Sequence, residues 1–330
     1  MTASLRPVSG TADELVPLLR TWIEGEEPLW IRTSGSTGRP KDVVLSPHAV
    51  RASAAATHAR LGGPGQWLLA VPPTGVAGLQ VVVRSLLTGI DPVTSLDSYT
   101  AERRYASLVP TQLHRLLEAG RAGPWAALDA VLVGGGPVRA SLVERAQDAG
   151  ISVVRTYGMS ETCGGCVYDG FALDGVRLRI DDGQVMVAGD VLFDGYVDAP
   201  RTDEWFATND RGEITNGELR VVGRLDDVVL SGGVNVPLPA VTAALQDAAG
   251  VADALAVGVD DPEWGQRVVA LVVPANAVCL EGLSAERLRD AVEEAGHPRT
   301  WGPRAIALVD AIPLLPNGKP DRLAARALFS

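Results

Sequence analysis

Two of the 29 basic residues in this 330-residue chain are lysines, and both lie in glycine-rich stretches that suit an anion. Lys41 closes the stretch Thr33, Ser34, Gly35, Ser36, Thr37, Gly38, Arg39, Pro40, and Lys319 sits within Asn317, Gly318, Pro320, Asp321 and Arg322. Lysine is a compact, mobile point charge, whereas arginine is a rigid planar fork. A chain that uses arginine nearly everywhere else and keeps lysine at these two places points to sites that need a point charge. Gly35 and Gly38 let backbone N–H groups turn inward around an anion, and Ser34, Ser36 and Thr37 add hydroxyl donors. The stretch is not a Walker A loop, because Lys41 follows Pro40 and precedes Asp42 rather than Ser or Thr. Cys163 and Cys166 have the spacing of a zinc or redox half-site. The third cysteine, Cys279, and the four histidines supply no paired partner for it, so these cysteines read as small, partly buried residues lining a turn.

Elements must hold such loops in place. Leu15, Leu18, Leu19 and Trp22 give one apolar face to a helix from Ala12 to Trp22. Trp30 to Thr33 reads as a strand feeding the first glycine loop, and Ser46 caps a helix that begins at Pro47. Strands at Gln66 to Val71, Ala130 to Val133 and Ser152 to Thr156 alternate with helices at Val76 to Leu87, Leu108 to Gly120 and Ser141 to Ala149. That alternation predicts βαβ units and a mainly parallel sheet, with ligands outside the carboxyl ends of its strands and the glycine loops at that edge. After Gly170 the pattern changes to hairpins at Val176 to Ile180, Gln184 to Ala188 and Glu218 to Val222, separated by Asp-Gly or Asn-Gly turns. A third region has helices at Pro239 to Ala249 and Ser284 to Ala295, with strands at Ala252 to Val259, Arg267 to Val273 and Ala305 to Leu308. The expected fold is therefore α/β and α+β. A large N-terminal domain (1–223) has mainly parallel αβ layers and a small β subdomain, and a small α+β domain (224–330) carries Lys319.

The Thr33 to Lys41 stretch resembles the phosphate loop of the AMP-forming acyl-CoA synthetases, the adenylate-forming superfamily, with Asp42 in place of the usual glycine. Other motifs of that family follow in order. Gly134, Gly135, Gly136 and Pro137 are similar to its adenine-contacting loop. Tyr157, Gly158, Met159, Ser160, Glu161 and Thr162 are similar to its Tyr-Gly-x-Thr/Ser-Glu motif. By that resemblance Tyr157 stacks on adenine, Ser160 contacts the α-phosphate region and Glu161 holds Mg²⁺. These roles suit an aromatic face, a hydroxyl and a hard carboxylate oxygen. Thr208, Asn209 and Asp210 resemble the family's ribose-binding Thr-Gly-Asp, with Asn209 replacing glycine. Arg224 and Asp226 fall in its hinge motif, where Arg224 helps hold the nucleotide and Asp226 is the pivot. Ser231, Gly232 and Gly233 fall in the loop beside the pantetheine tunnel, and Lys319 falls in the C-terminal catalytic motif. The motif series starts at Thr33, where typical members carry a long N-terminal subdomain first. The resemblance leaves Thr74, Gly134 and Thr162, with Arg32 and Ser85, as candidates on the acid side.

The resemblance implies an ATP-dependent ligase that uses Mg²⁺ and coenzyme A. A carboxylic acid attacks the α-phosphate of ATP, and the acyl-adenylate is then thiolysed after the small, mobile domain rotates. Other acids, carrier-protein loading and a catalytically silent nucleotide-binding relative are the alternatives, although a silent relative would have lost Glu161 or Lys319. The net charge of −11 argues against nucleic-acid binding. No run of about eighteen apolar residues predicts a membrane span. Met1 to Pro7 lacks the apolar core of a secretory signal, so a cytoplasmic location is expected. Whether the chain is a monomer or a homodimer stays open.

Overall fold

The computed structural model of the protein describes residues 11–33, 41–225, 227–276, 282–315 and 320–329. The expectations placed on Ser34, Gly35, Ser36, Thr37, Gly38, Asp226, Cys279 and Lys319 lie outside the described residues. The chain divides into two compact units, one of Met1–Arg179, Met186–Ala207 and Ile214–Leu219, the other of Ile180–Val185, Thr208–Glu213 and Arg220–Ser330.

In chain order the first part runs α1 (Ala12–Ile23), β1 (Leu29–Thr33), β2 (Lys41–Leu45), α2 (Pro47–Arg60), β3 (Gln66–Leu68), α3 (Val76–Leu86), β4 (Arg104–Leu108), α4 (Pro110–Glu118), β5 (Ala130–Val133), α5 (Ala140–Asp148), β6 (Val153–Met159), β7 (Gly164–Tyr168) and β8 (Phe171–Ala172). Then come β9 (Arg177–Asp181), β10 (Gln184–Ala188), β11 (Gly195–Tyr196), β12 (Ala199–Pro200), β13 (Phe206–Thr215) and β14 (Glu218–Arg224). Ser46 caps α2 as its sequence requires, accepting the Ala49 N–H at 3.3 Å with Pro47 at the first helical position.

Six strands form one sheet of order β3-β4-β5-β6-β7-β8. The first four pair in parallel, and β7 and β8 add antiparallel. All four residues of β5, Ala-Val-Leu-Val, are buried, as befits a parallel strand covered on both faces. Leu113 of α4 and Leu142 and Ala146 of α5 pack on Val131 and Val133. The run from Gln66 is strand only as far as Leu68, and the chain leaves the sheet before Pro72. Leu108 ends a strand rather than starting a helix, because α4 begins at Pro110, the residue type suited to a first helical turn.

One expectation is corrected. The strand that ends at Thr33 is not a strand of the parallel sheet. β1 and β2 form an antiparallel hairpin in register from Leu29↔Leu45 to Thr33↔Lys41, and they belong to a separate sheet of order β1-β2-β11-β12. A cross-strand pair supports that register. Arg32 donates to both carboxylate oxygens of Asp42, at 2.8 and 2.9 Å. Ile31, Val43, Leu45, Val50, Val82, Cys163 and Phe193 form the core beneath this sheet.

Strands β9, β10, β13 and β14 form a sheet of order β14-β13-β10-β9. The second unit continues with β15 (Val228–Ser231), β16 (Val234–Pro237), α6 (Leu238–Gln246), β17 (Val251–Asp261), β18 (Gly265–Pro274), α7 (Ala285–Glu294), β19 (Ala305–Leu308) and α8 (Arg322–Ala327). Its sheet runs β16-β15-β18-β17, with β19 parallel to β18. Val236, Leu238, Val241 and Leu245 pack with Ala256, Val268, Leu288 and Val292. None of the described helices is long and apolar enough to cross a membrane.

Candidate functional site

The parallel pairing of β5 with β6 ends at Val133↔Arg155, so the Gly134 to Pro137 turn leaves the sheet beside the Tyr157 to Met159 stretch, which pairs on with β7 and leads into the Glu161 turn. Their approach is close enough to require glycine. A Cβ on Gly134 would lie 2.1 Å from Thr156 Oγ1 and 2.8 Å from the Thr156 carbonyl oxygen. Gly135 has φ +80°, and Gly135, Gly136 and Pro137 are exposed. A Cβ on Gly158 would lie 2.0 Å from the Gly164 carbonyl oxygen, where the β6–β7 register shifts between Tyr157 and Gly158. Such a bulge redirects the strand and aims the following residues. Tyr157 is half-buried opposite Val167, and Ser160 is half-buried at the start of a short 3₁₀ turn with Glu161 and Thr162.

That turn is held from beneath. Thr162 is fully buried. It accepts the Met159 N–H at 2.9 Å and donates within its own turn, to Gly164 O at 2.6 Å or Met159 O at 3.1 Å. The next residue, Cys163, has φ +51°, an uncommon left-handed conformation for a residue with a side chain. Its carbonyl accepts from Gln80 Nε2 at 2.7 Å and Ser53 Oγ at 3.1 Å, both buried side chains. Gln80 Nε2 also donates to Val50 O at 3.2 Å. Cys163 and Cys166 are fully buried rather than partly so, and burial followed by the nearby Asp194 charge pushes the Cys163 thiol well above the usual range. Such a thiol is an inert core residue.

Above the turn, three side chains meet. Tyr196 donates its hydroxyl to Glu161 Oε1 at 2.9 Å, and Lys41 Nζ lies 4.8 Å from the centroid of the Tyr196 ring. Burial, then the Glu161 charge, pushes the phenol above its ordinary pKa, so it stays a donor. The backbone makes this meeting obligatory. Tyr196 pairs with Val43 of β2, two residues from Lys41, and Phe193 N–H donates to the Glu161 carbonyl at 2.9 Å. Phe193 is buried and packs edge-on against Tyr196 and Phe206, each at 5.1 Å. Tyr196 went unnoticed in the sequence. The local signal is Gly195 before Tyr196 in β11, where Gly195 adopts φ +133°.

The acid-side candidates separate. Arg32 is committed to Asp42. Ser85 is fully buried in α3, with Oγ accepting the Trp67 N–H at 3.4 Å. Thr162 is used up in its own turn, whereas Thr74 is half-buried in the loop before α3.

The second unit holds its own group of expected residues. Asp210 is nearly buried, its N–H donating to Thr208 Oγ1 at 3.1 Å, and Arg224 Nη1 lies 3.8 Å from its carboxylate. Asp227, next to Asp226, accepts a two-pronged pair from Arg322. Nη2 donates to Oδ2 at 2.8 Å, and Nη1 donates to Oδ1. Ser231 is buried, and Gly232 and Gly233 have φ +57° and +82°. A Cβ on Gly232 would lie 2.3 Å from the Trp264 ring.

No group of three or more metal-ligating side chains occurs among the described residues. The donor set still fits Mg²⁺, which is usually held by one or two carboxylates together with substrate phosphates and water. Tyr196 takes Oε1 of Glu161 and leaves Oε2 as the oxygen for such an ion.

Comparison with known proteins shows what the chain is similar to. The family described as "AMP-binding enzyme" matches residues 28–214, and "AMP-binding enzyme C-terminal domain" matches residues 240–319. A probable 2-succinylbenzoate–CoA ligase of Mycobacterium tuberculosis is 41% identical over 329 residues, covering 92% of this chain and 84% of that protein. An o-succinylbenzoate CoA synthetase of Bacillus subtilis, solved with the acyl-adenylate intermediate, superposes with a TM-score of 0.75 at 27% identity, over 90% of this chain and 68% of that one. The same synthetase solved with ATP and a magnesium ion gives a TM-score of 0.75 at 27% identity, over 89% and 69%.

Proposed function

Since the chain belongs to the AMP-binding enzyme family, we propose that it is an AMP-forming acid–CoA ligase that activates 2-succinylbenzoate (o-succinylbenzoate) for menaquinone biosynthesis. The observation that carries the reading is the meeting of Lys41 and Glu161 at Tyr196, an anion-binding ammonium beside a cation-binding carboxylate, as a magnesium–triphosphate requires. The identity to the ligase of Mycobacterium tuberculosis supports the choice of acid.

The reaction joins two anions, so positioning and charge neutralisation are the main tasks. Bound Mg²⁺ would neutralise charge on the departing pyrophosphate. Glu161 would hold that ion, and Lys41 with Thr33, Ser34, Gly35, Ser36, Thr37 and Gly38 would bind the terminal phosphates. Gly135, Gly136, Pro137 and Tyr157 would receive adenine, with the register shift at Gly158 aiming the residues that follow, and Ser160 would contact the α-phosphate. Asp210 would accept the two ribose hydroxyls, its carboxylate oriented by Arg224. Lys319 would bridge the acid and the α-phosphate in adenylation. Residues 224–330 would then turn at Asp226, withdraw Lys319 and bring Ser231, Gly232 and Gly233 to the path of the coenzyme A thiol. Thr74 and Gly134 remain the acid-side contacts proposed, and Thr162 acts through its turn. The cytoplasm, where ATP and coenzyme A are abundant, is the proposed location.

The test is pyrophosphate release over a panel of acids with ATP, followed by thioester formation with free coenzyme A. The reading expects 2-succinylbenzoate to stand well above benzoate, acetate and malonate. Release with none of them would end the ligase assignment, and preference for another acid would end the choice of substrate.

A further inference from the structure

The ring of Tyr196 does two things at once. A phenol presents a negative face, which seats a cation, and a hydroxyl at its rim, which donates to an anion. Here the face meets Lys41 and the rim meets Glu161. The two partners come from distant parts of the chain. Lys41 begins β2, and Glu161 follows β6 in a different sheet. The stretch from Phe193 to Tyr196 binds to both, through Tyr196↔Val43 in one direction and Phe193 N–H to Glu161 O in the other.

We propose that Tyr196 is a positioning residue for the ligase. Its hydroxyl orients the Glu161 carboxylate and its ring seats the Lys41 ammonium, so one side chain sets the spacing between the magnesium ligand and the phosphate-binding cation. The inference rests on the proposed function only for what the two charges bind. Without Tyr196, Glu161 loses the donor that fixes one of its oxygens, and the long Lys41 side chain, exposed to solvent, loses the surface that narrows its rotamers. A purely packing role is the competing account, because Tyr196 also touches Phe193 edge-on at 5.1 Å. Phenylalanine separates the two accounts, since it keeps the ring, the packing and the lysine seat and removes only the donor.

The experiment is calorimetric titration of the full chain with the non-cleavable analogue α,β-methylene-ATP, with Mg²⁺ and with EDTA. It uses wild type, Tyr196→Phe, Tyr196→Leu, Glu161→Ala and the Tyr196→Phe/Glu161→Ala double variant, each first checked for native circular dichroism. A hydrogen bond to a charged group is worth about tenfold, so Tyr196→Phe should bind the magnesium–analogue about tenfold more weakly. Its binding in EDTA should be unchanged. The double variant should bind no more weakly than Glu161→Ala alone, because the hydroxyl acts through that carboxylate. Tyr196→Leu should also weaken binding in EDTA by about twofold to fivefold, the worth of an exposed cation–π contact. Wild-type or tighter magnesium–analogue binding by Tyr196→Phe would overturn the proposal, as would an equal loss in the Glu161→Ala background. No acid enters these titrations. Wild type that binds the analogue with Mg²⁺ but releases pyrophosphate with no acid would sink the ligase reading alone. Wild type with no magnesium-dependent binding would sink both.

Discussion

The carbonyl of Cys163 has two buried donors, and removing them singly and together should give costs that do not add. Ser53→Ala leaves Gln80 Nε2 on that carbonyl at 2.7 Å, so it loses one hydrogen bond, about 1 kcal/mol. Gln80→Leu removes the bonds to Cys163 O and Val50 O, but it also removes the Gln80 Oε1 atom, which is buried without a partner, and it fills similar space with carbon. The relief offsets part of the loss, and the net is again about 1 kcal/mol. In the double variant the Cys163 carbonyl is buried with neither donor, at a residue already held at φ +51°, and the orphaned acceptor costs about 2 kcal/mol more. The expected total is therefore about 4 kcal/mol against about 2 for simple addition. At about 2–4 °C per kcal/mol, that is a midpoint lowered by about 8–16 °C rather than about 4–8 °C in thermal unfolding followed by circular dichroism. Because the same carbonyl fixes the turn that aims Glu161, pyrophosphate release should fall more steeply in the double variant than in either single one. Additive midpoints would mean that the Cys163 carbonyl finds water or relaxes, and that the two side chains do not jointly hold this turn.

Gly158→Ala would drive a methyl group to 2.0 Å from the Gly164 carbonyl oxygen, in rigid paired strands, and should cost about 3 kcal/mol with loss of activity; a normal melting midpoint would contradict it. His58 is held neutral, its pKa lowered to about 4 by burial and then by Arg84. Its folded pKa lies below its unfolded value, so the unfolded chain takes up the proton first as pH falls. Its contribution is fully present above about pH 6.5 and is lost towards pH 4, and because His58 is only part-buried it amounts to no more than about 3 kcal/mol. His58→Phe should flatten that part of a stability–pH curve measured in urea. Lys319→Ala should nearly abolish pyrophosphate release yet leave thioester formation from preformed acyl-adenylate largely intact, and wild-type adenylation would remove that residue from the mechanism.

Local signals in the sequence were the reliable ones. Ser46 before Pro47, the apolar run Ala130 to Val133 and the strand Ala305 to Leu308 stand where the pattern placed them, because each is decided by a few adjacent residues. Pairing partners were not legible. β1 looked like a strand of the parallel sheet, and only its register with β2 places it elsewhere. The Tyr196–Glu161 bond spans 35 positions and the Arg322–Asp227 pair spans 95, so no spacing rule could have joined them. Thr162 was a sound candidate by type, but a hydroxyl beside a tight turn has nearer partners than a ligand.

Beyond Leu314 the chain is pinned at several points in succession. Leu314 forms a bridge with Pro320, Asp321 N–H donates to Pro313 O at 2.8 Å, and the Asp321 side chain accepts from Leu323 and Ala324 N–H at 3.1 and 3.0 Å. Arg322 then grips Asp227, one residue from the proposed pivot. In the sequence Lys319 is one peptide bond from Pro320, the first residue of this anchored base. Chain ends confined in this way raise the local concentration of the group they carry, to the millimolar range for short flexible tethers and higher for stiff ones. In the proposed turn of residues 224–330, the length of the tether would set how far the charge travels. Inserting glycines between Lys319 and Pro320 should therefore slow adenylation through dilution of the lysine.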